Sequence, residues 1–268
     1  MYETYWELRE KPFENTPDPR FIYYSPAHQQ VLLNLMYILS QNKGAALLTG
    51  DYGCGKTLLT RTLISRLSSD EYEVALLTNP RWSVDEFLVE ILYQFGVEGD
   101  FQKKREIIHR FNGVLYENAQ KEKKTILMID EAQLIESDAV FEEVRLLLNF
   151  QLNDRFLLTL ILIGQPELRQ MVKDIPQLDQ RIGIKCHLGP LKPHEIGEYI
   201  RHRLSVVGRS DQIFMDDAIT MIAKHTGGTP RRINHICDIC LLVGFSRQLR
   251  RIDREVVEGL ITAEGGER

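Results

Sequence analysis

A chain of 268 residues with 43% hydrophobic content can bury a sizeable core, as one large domain or two modest ones. Its net charge of -5, with 26% charged residues, excludes a global basic field of the kind that advertises nucleic-acid binding. The balance is regional: residues 191–268 carry 12 Lys and Arg against 11 Asp and Glu, while the other 190 residues carry 21 against 27, so the C-terminal part is the better surface for an anionic partner.

Met1 to Glu10 holds charges and no apolar core, so it does not read as a secretory signal. No apolar stretch reaches the roughly 18 residues of a membrane span. With four cysteines, this fits a reducing compartment, and the expected location is cytoplasmic or peripheral at the inner membrane. Ser25-Pro26 is an N-cap followed by proline at the first helical position, opening a helix to about Ser40. Ala45-Ala46-Leu47-Leu48-Thr49 reads as a short buried strand. It leads into Gly50-Asp51-Tyr52-Gly53-Cys54-Gly55-Lys56-Thr57, which matches G-x-x-x-x-G-K-[ST] at every fixed position, and Leu58 to Leu67 then reads as an amphipathic helix.

Strand, glycine-rich loop and helix N-terminus together make a phosphate cradle. Glycines let the backbone wrap a polyphosphate and aim its N–H groups inward. Lys56 is expected to reach the β- and γ-phosphates, and the Thr57 hydroxyl to ligate Mg²⁺. The nucleotide-binding set therefore runs from Gly50, Asp51, Tyr52, Gly53, Cys54 and Gly55 through Lys56 and Thr57 to Leu58. Cys54 sits among N–H dipoles that favour a thiolate, so a thiol exposed in the empty loop is expected to be reactive.

Val74 to Thr78 reads as a second strand, and Ser83-Val84-Asp85-Glu86 as a capping box opening a helix that stops near Gly96. A further helix fills about Gln102 to Gln120, and Lys121 to Lys124 is a solvated turn. Thr125-Ile126-Leu127-Met128-Ile129-Asp130-Glu131 is an apolar run ending in two acids, the pattern of a strand buried on both faces with carboxylates at the ligand end of an open α/β sheet. Asp130 is placed to hold Mg²⁺, and Glu131 to orient and deprotonate the attacking water. Phe141 to Phe150 reads as helix, Leu157 to Ile163 as a fourth strand and Ile184 to Leu188 as a fifth. After Pro190 the pattern is helical only, at roughly 193–207, 216–225, 230–247 and 253–262. Cys237 and Cys240 form a C-x-x-C inside one of these helices and read as small apolar core residues. The domains are thus expected at 1–190, an α/β nucleotide-binding domain with an N-terminal extension, and 191–268, a helical lid.

An α/β P-loop domain with a parallel sheet flanked by helices, followed by a small all-α lid, is the AAA+ layout. It implies a first sensor at Gln165, at the end of the fourth strand, and a second at Arg231, at the start of a lid helix. It also implies an arginine finger at Arg181, just before the last strand, reaching the nucleotide of a neighbouring copy. The opening Tyr5-Trp6-Glu7-Leu8, Lys11-Pro12-Phe13 and Thr16 to Pro26 resembles the N-terminal signature of the general secretion pathway protein A family of AAA+ ATPases. Leu146 to Phe150, Gly164 to Leu168, Gln180-Arg181-Ile182 and Gly228 to Asn234 match that family too, so the resemblance covers nearly the whole chain. It implies an ATP-dependent homo-oligomer that hydrolyses ATP with Mg²⁺ and helps assemble a secretin, pilus or polysaccharide exporter. Longer members continue into a membrane segment and a peptidoglycan-binding domain, and Leu58 stands where the family usually has threonine. The same core serves DNA-binding ATPases of transposition target selection. That alternative draws on the basic stretch Ser246 to Arg254, while the absence of room for a winged helix after the lid argues against a replication initiator. The intact Glu131 argues against a non-hydrolysing scaffold.

Overall fold

The apolar runs become the middle of a five-stranded parallel sheet. β1 (Ala45–Gly50), β3 (Lys124–Ile129) and β4 (Leu158–Gly164) are almost wholly buried, and β2 (Tyr72–Leu77) and β5 (Ile182–Leu188) form the edges. The order is β2-β3-β4-β1-β5. Central strands covered on both faces need no polar alternation, whereas β5 alternates buried Ile182, Cys186 and Leu188 with exposed Gly183, the period-two pattern of a half-solvated edge. β5 begins two residues before its apolar stretch suggests, and its register against β1 shifts between Ala45 and Ala46.

The computed structural model describes residues 1–265. They form two units interleaved along the chain: residues 29–51 with 60–188, and residues 1–28 with 52–59 and 189 onward. In the sheet unit, α3 (Val84–Gln94) opens with the expected capping box, Ser83 accepting from Glu86 N–H while the Glu86 carboxylate accepts from Ser83 N–H at 2.9 Å. Phe87 and Ile91 of α3 join Phe111 and Leu115 of α4 (Lys104–Gln120) in one apolar core with the sheet. α5 spans Asp138–Leu147, three residues earlier than the apolar pattern indicates, because Asp138 supplies a favourable charge to its first turn. After it the chain reverses through a small antiparallel bridge between Gln151 and Phe156. Two short helices, α6 (Glu167–Lys173) and α7 (Pro176–Asp179), fill a segment the sequence reading leaves without structure. Each is too short for helical periodicity to declare itself.

The other unit is helical. α8 (Pro193–Val206), α9 (Asp216–Thr226), α10 (Pro230–Ser246) and α11 (Arg254–Gly265) lie where the pattern places them. The N-terminal segment corrects the expected division. Residues 1–28 do not extend the sheet domain; Tyr2, Trp6, Leu8, Phe13 and Phe21 are buried in the core of the helical unit. Trp6 Nε1 donates to the Leu241 carbonyl at 2.9 Å, and Phe13 meets Phe214 edge-on at 6.0 Å. A buried polar network clamps the rest. Arg203, 3% exposed, donates to the carbonyls of Pro12 at 2.5 Å and Glu14 at 2.8 Å, and its guanidinium lies 4.6 Å from the Phe21 ring centre. Asn234 accepts from Tyr199 at 2.7 Å and donates to Asn15 at 2.9 Å. Cys237 and Cys240 pack in the same core, and burial pushes the Cys237 thiol well above its ordinary pKa.

Candidate nucleotide site

β1 delivers the chain to the phosphate loop, and the Asp51 N–H is pinned to the Leu188 carbonyl at 3.3 Å. Gly53 and Gly55 take φ of +78° and +96°, the left-handed region open to glycine. The loop ends at α2 (Lys56–Ser65), so Lys56 and Thr57 occupy a helix N-terminus, at the positive end of its dipole. A Cβ built on Gly55 would lie 3.6 Å from His28 Nε2, an ordinary van der Waals distance. Loop conformation, helix start and buried Lys56 fit a polyphosphate.

Within the same unit the loop is held from two directions. His28, in the first turn of α1 (Pro26–Ser40), is capped by Ser25, whose Oγ lies 2.7 Å from His28 Nδ1. Burial pushes the His28 imidazole pKa down, and a hydrogen bond to the Cys54 backbone and the Glu195 carboxylate oppose this. Arg231 approaches from the start of α10: its N–H donates to the Gly53 carbonyl at 3.2 Å, and its guanidinium stands 4.6 Å from the Tyr52 ring centre. A Cβ on Gly53 would come within 2.8 Å of Arg231 Cβ, so this docking requires glycine. Arg232 points elsewhere, donating to the His225 carbonyl at 2.9 Å. The structure also corrects the reading of Cys54. Its side chain is fully buried, which shields the thiol from the reactivity expected of an exposed loop cysteine.

In the sheet unit, Asp130 and Glu131 follow β3 at the carboxyl edge. Asp130 is buried and its carboxylate accepts from the Glu131 N–H at 2.9 Å. Glu131 takes the left-handed conformation, φ 53°, a strained state for a non-glycine residue at the end of a strand. Gln165 follows the neighbouring strand β4. A residue absent from the sequence reading joins them. Gln133 donates from Nε2 to the Glu131 carboxylate at 2.5 Å and accepts the Gln165 N–H on Oε1 at 3.0 Å. It thereby ties the candidate base on β3 to the end of β4. The signal available in the sequence was only a polar residue two positions past Glu131, which any turn supplies.

Arg181 does not join this cluster. It precedes β5, at the amino edge of a parallel sheet whose acids sit at the carboxyl edge, about 20 Å away along a seven-residue strand. It lines an open polar cleft of about 910 Å³ with Asn149, Gln151, Arg155 and Phe156.

The model of the AAA domain family matches residues 39–172, from the end of α1 through the loop, β3 and β4 to α6. The chain belongs to that family. It is also 36% identical over 255 residues to the general secretion pathway protein A of Aeromonas hydrophila, covering 94% of this chain and 46% of that protein. The chain thus spans about half the length of this relative. Among solved structures, the Aeropyrum pernix ORC2 protein superposes with a TM-score of 0.67 at 16% identity, covering 94% of this chain and 71% of that one. The Thermotoga maritima RuvB Holliday junction branch migration motor superposes at 0.63 and 21% identity, covering 91% and 70%. At these identities the likeness is one of fold, and it is the α/β sheet with a helical C-terminal region expected from the sequence.

Proposed function

We propose that this AAA protein binds Mg-ATP, hydrolyses it to ADP and phosphate as an oligomer, and powers or regulates assembly of a cell-envelope secretion, pilus or polysaccharide-export system. The observation that carries the nucleotide reading is the loop itself, with left-handed Gly53 and Gly55 leading into a helix that starts at Lys56. Lys56 and the loop N–H groups hold the phosphates, while the Thr57 hydroxyl and the Asp130 carboxylate hold Mg²⁺, which neutralises charge on the phosphate oxygens. Glu131, oriented by Gln133, takes the proton from the attacking water. Gln165 and Arg231 sense the γ-phosphate. Arg181 cannot reach the acids of its own sheet, which favours a finger acting on the nucleotide of a neighbouring copy. The envelope assignment rests on the relationship to general secretion pathway protein A. No helix among the described residues is long and apolar enough to cross a membrane, and we place the protein in the cytoplasm or peripherally at the inner membrane.

Two variants test the chemistry. Lys56→Ala is expected to abolish ATP binding, and Glu131→Gln to bind ATP but not turn it over, because the carboxylate acts on water and not on the nucleotide. Parental hydrolysis by Glu131→Gln refutes the assignment. A second reading, DNA binding as in transposition target selection, is favoured by Arg247, Arg250 and Arg251, which are exposed between α10 and α11. It requires ATP-dependent duplex binding whose salt slope flattens by up to about 3 units when all three become alanine. Fluorescence anisotropy that finds no binding even at low salt eliminates it.

A further inference from the structure

The loop carries an aromatic ring at a position where phosphate binding requires none. Tyr52 is 66% exposed, so burial of apolar surface does not account for it. Its face is covered by the Arg231 guanidinium, centred 4.6 Å away. Among the described residues no hydrogen bond or ion pair engages that guanidinium, whereas the neighbouring Arg232 is tied to the His225 carbonyl. The backbone beneath is fixed independently. Pro230 opens α10 and has no N–H, and the next donor, Arg231 N–H, is satisfied by the loop carbonyl of Gly53. Loop and lid helix are therefore joined before any nucleotide contact is made, and the ring decides where the free end of Arg231 stands.

From this we infer that Tyr52 is a positioning residue: it stacks the Arg231 guanidinium beside the phosphate loop so that its N–H donors are presented to a γ-phosphate. A guanidinium uses its face to stack and its edge to donate. Stacking on Tyr52 therefore does not compete with in-plane hydrogen bonds to phosphate oxygens, and it removes much of the rotamer freedom that a long exposed arginine loses on binding. The ring acts through Arg231, so its contribution is confined to the terminal phosphate that distinguishes ATP from ADP. This rests on the nucleotide reading proposed above and on Arg231 as second sensor.

The test is isothermal titration with a Mg-bound non-hydrolysable ATP analogue and with Mg-ADP, on the full chain and its Tyr52→Ala, Tyr52→Phe, Arg231→Ala and double-alanine variants. Tyr52→Ala is expected to weaken analogue affinity by about 2- to 5-fold, the range of an exposed cation–π contact, and to leave ADP affinity unchanged. Tyr52→Phe, which keeps the ring face, recovers the preference for the triphosphate. In the Arg231→Ala background the tyrosine substitution has no further effect, because the partner through which it acts is gone. Equal weakening of analogue and ADP by Tyr52→Ala refutes the inference and makes the ring a support of the loop. If Arg231→Ala erases the triphosphate preference but Tyr52→Ala does not, the sensor reading stands and only the role of Tyr52 falls. If Arg231→Ala leaves the preference intact, both fall, while loss of all binding in Lys56→Ala still upholds the phosphate loop.

Discussion

Gln133 offers the sharpest test of how the candidate catalytic edge works. It makes one hydrogen bond to the Glu131 carboxylate at 2.5 Å and one from the Gln165 N–H at 3.0 Å. The first is charge-assisted, a class worth about 1.5–3 kcal/mol when shielded from water. Glu131 is only partly buried, so about 1–2 kcal/mol is the appropriate share. If that energy holds the carboxylate where it meets the attacking water, Gln133→Ala lowers kcat about 5- to 30-fold. Binding of ATP, which Glu131 does not contact, stays unchanged. A second perturbation reaches the same bond from the other strand. A Cβ at Gly164 would stand 2.4 Å from Gln133 Oε1 and 2.8 Å from Leu168 Cδ2, so Gly164→Ala expels the carboxamide. It should lower kcat like Gln133→Ala, and the double variant should be no slower than either alone. Steady-state hydrolysis with parallel titration of nucleotide binding reads both quantities. Parental kcat in Gln133→Ala, or additive losses in the double variant, would refute the coupling of β3 to β4 through this side chain.

Arg181 and Lys56 can be separated by mixing: Arg181→Ala and Lys56→Ala proteins are each inactive alone, and together regain some hydrolysis because each supplies the half that the other lacks, whereas a mixture as dead as its components rejects action in trans. The buried His28 predicts a pH dependence of the helical unit. Its folded pKa is depressed by burial, so the unfolded chain binds the extra proton, and the stabilising contribution is complete above about pH 6.5 and fades as pH falls through and below that value. His202 shifts the same way, so His28→Gln should flatten, but not abolish, the fall in melting temperature on acidification from about pH 7.5 to pH 5. An unchanged slope in that variant would show that His28 is not the group responsible.

Much of this architecture was legible locally. Strands β1, β3 and β4 announced themselves because burial on both faces demands unbroken apolar runs. The phosphate loop, the Ser83 capping box and the Ser25-Pro26 start of α1 are short-range chemistry, in which a residue acts on backbone within a few positions of itself. α6 and α7 escaped because helices of seven and four residues complete too few turns to show a period. Tertiary contact alone decided the rest. The Trp6 indole meets the Leu241 carbonyl across 235 positions, so no window of sequence could assign the N-terminal segment to the helical core. Cys54 looked reactive from its neighbours along the chain, and packing buried it. Gln133 became the link between two strand ends, and Tyr52 the platform for Arg231, only when β3 met β4 and α10 met the loop. Sequence patterns report what each segment must bury and how its backbone bends, because those forces act within a turn or a strand. Which side chains then face one another depends on the order of strands and the packing of helices, which the folded chain settles as a whole.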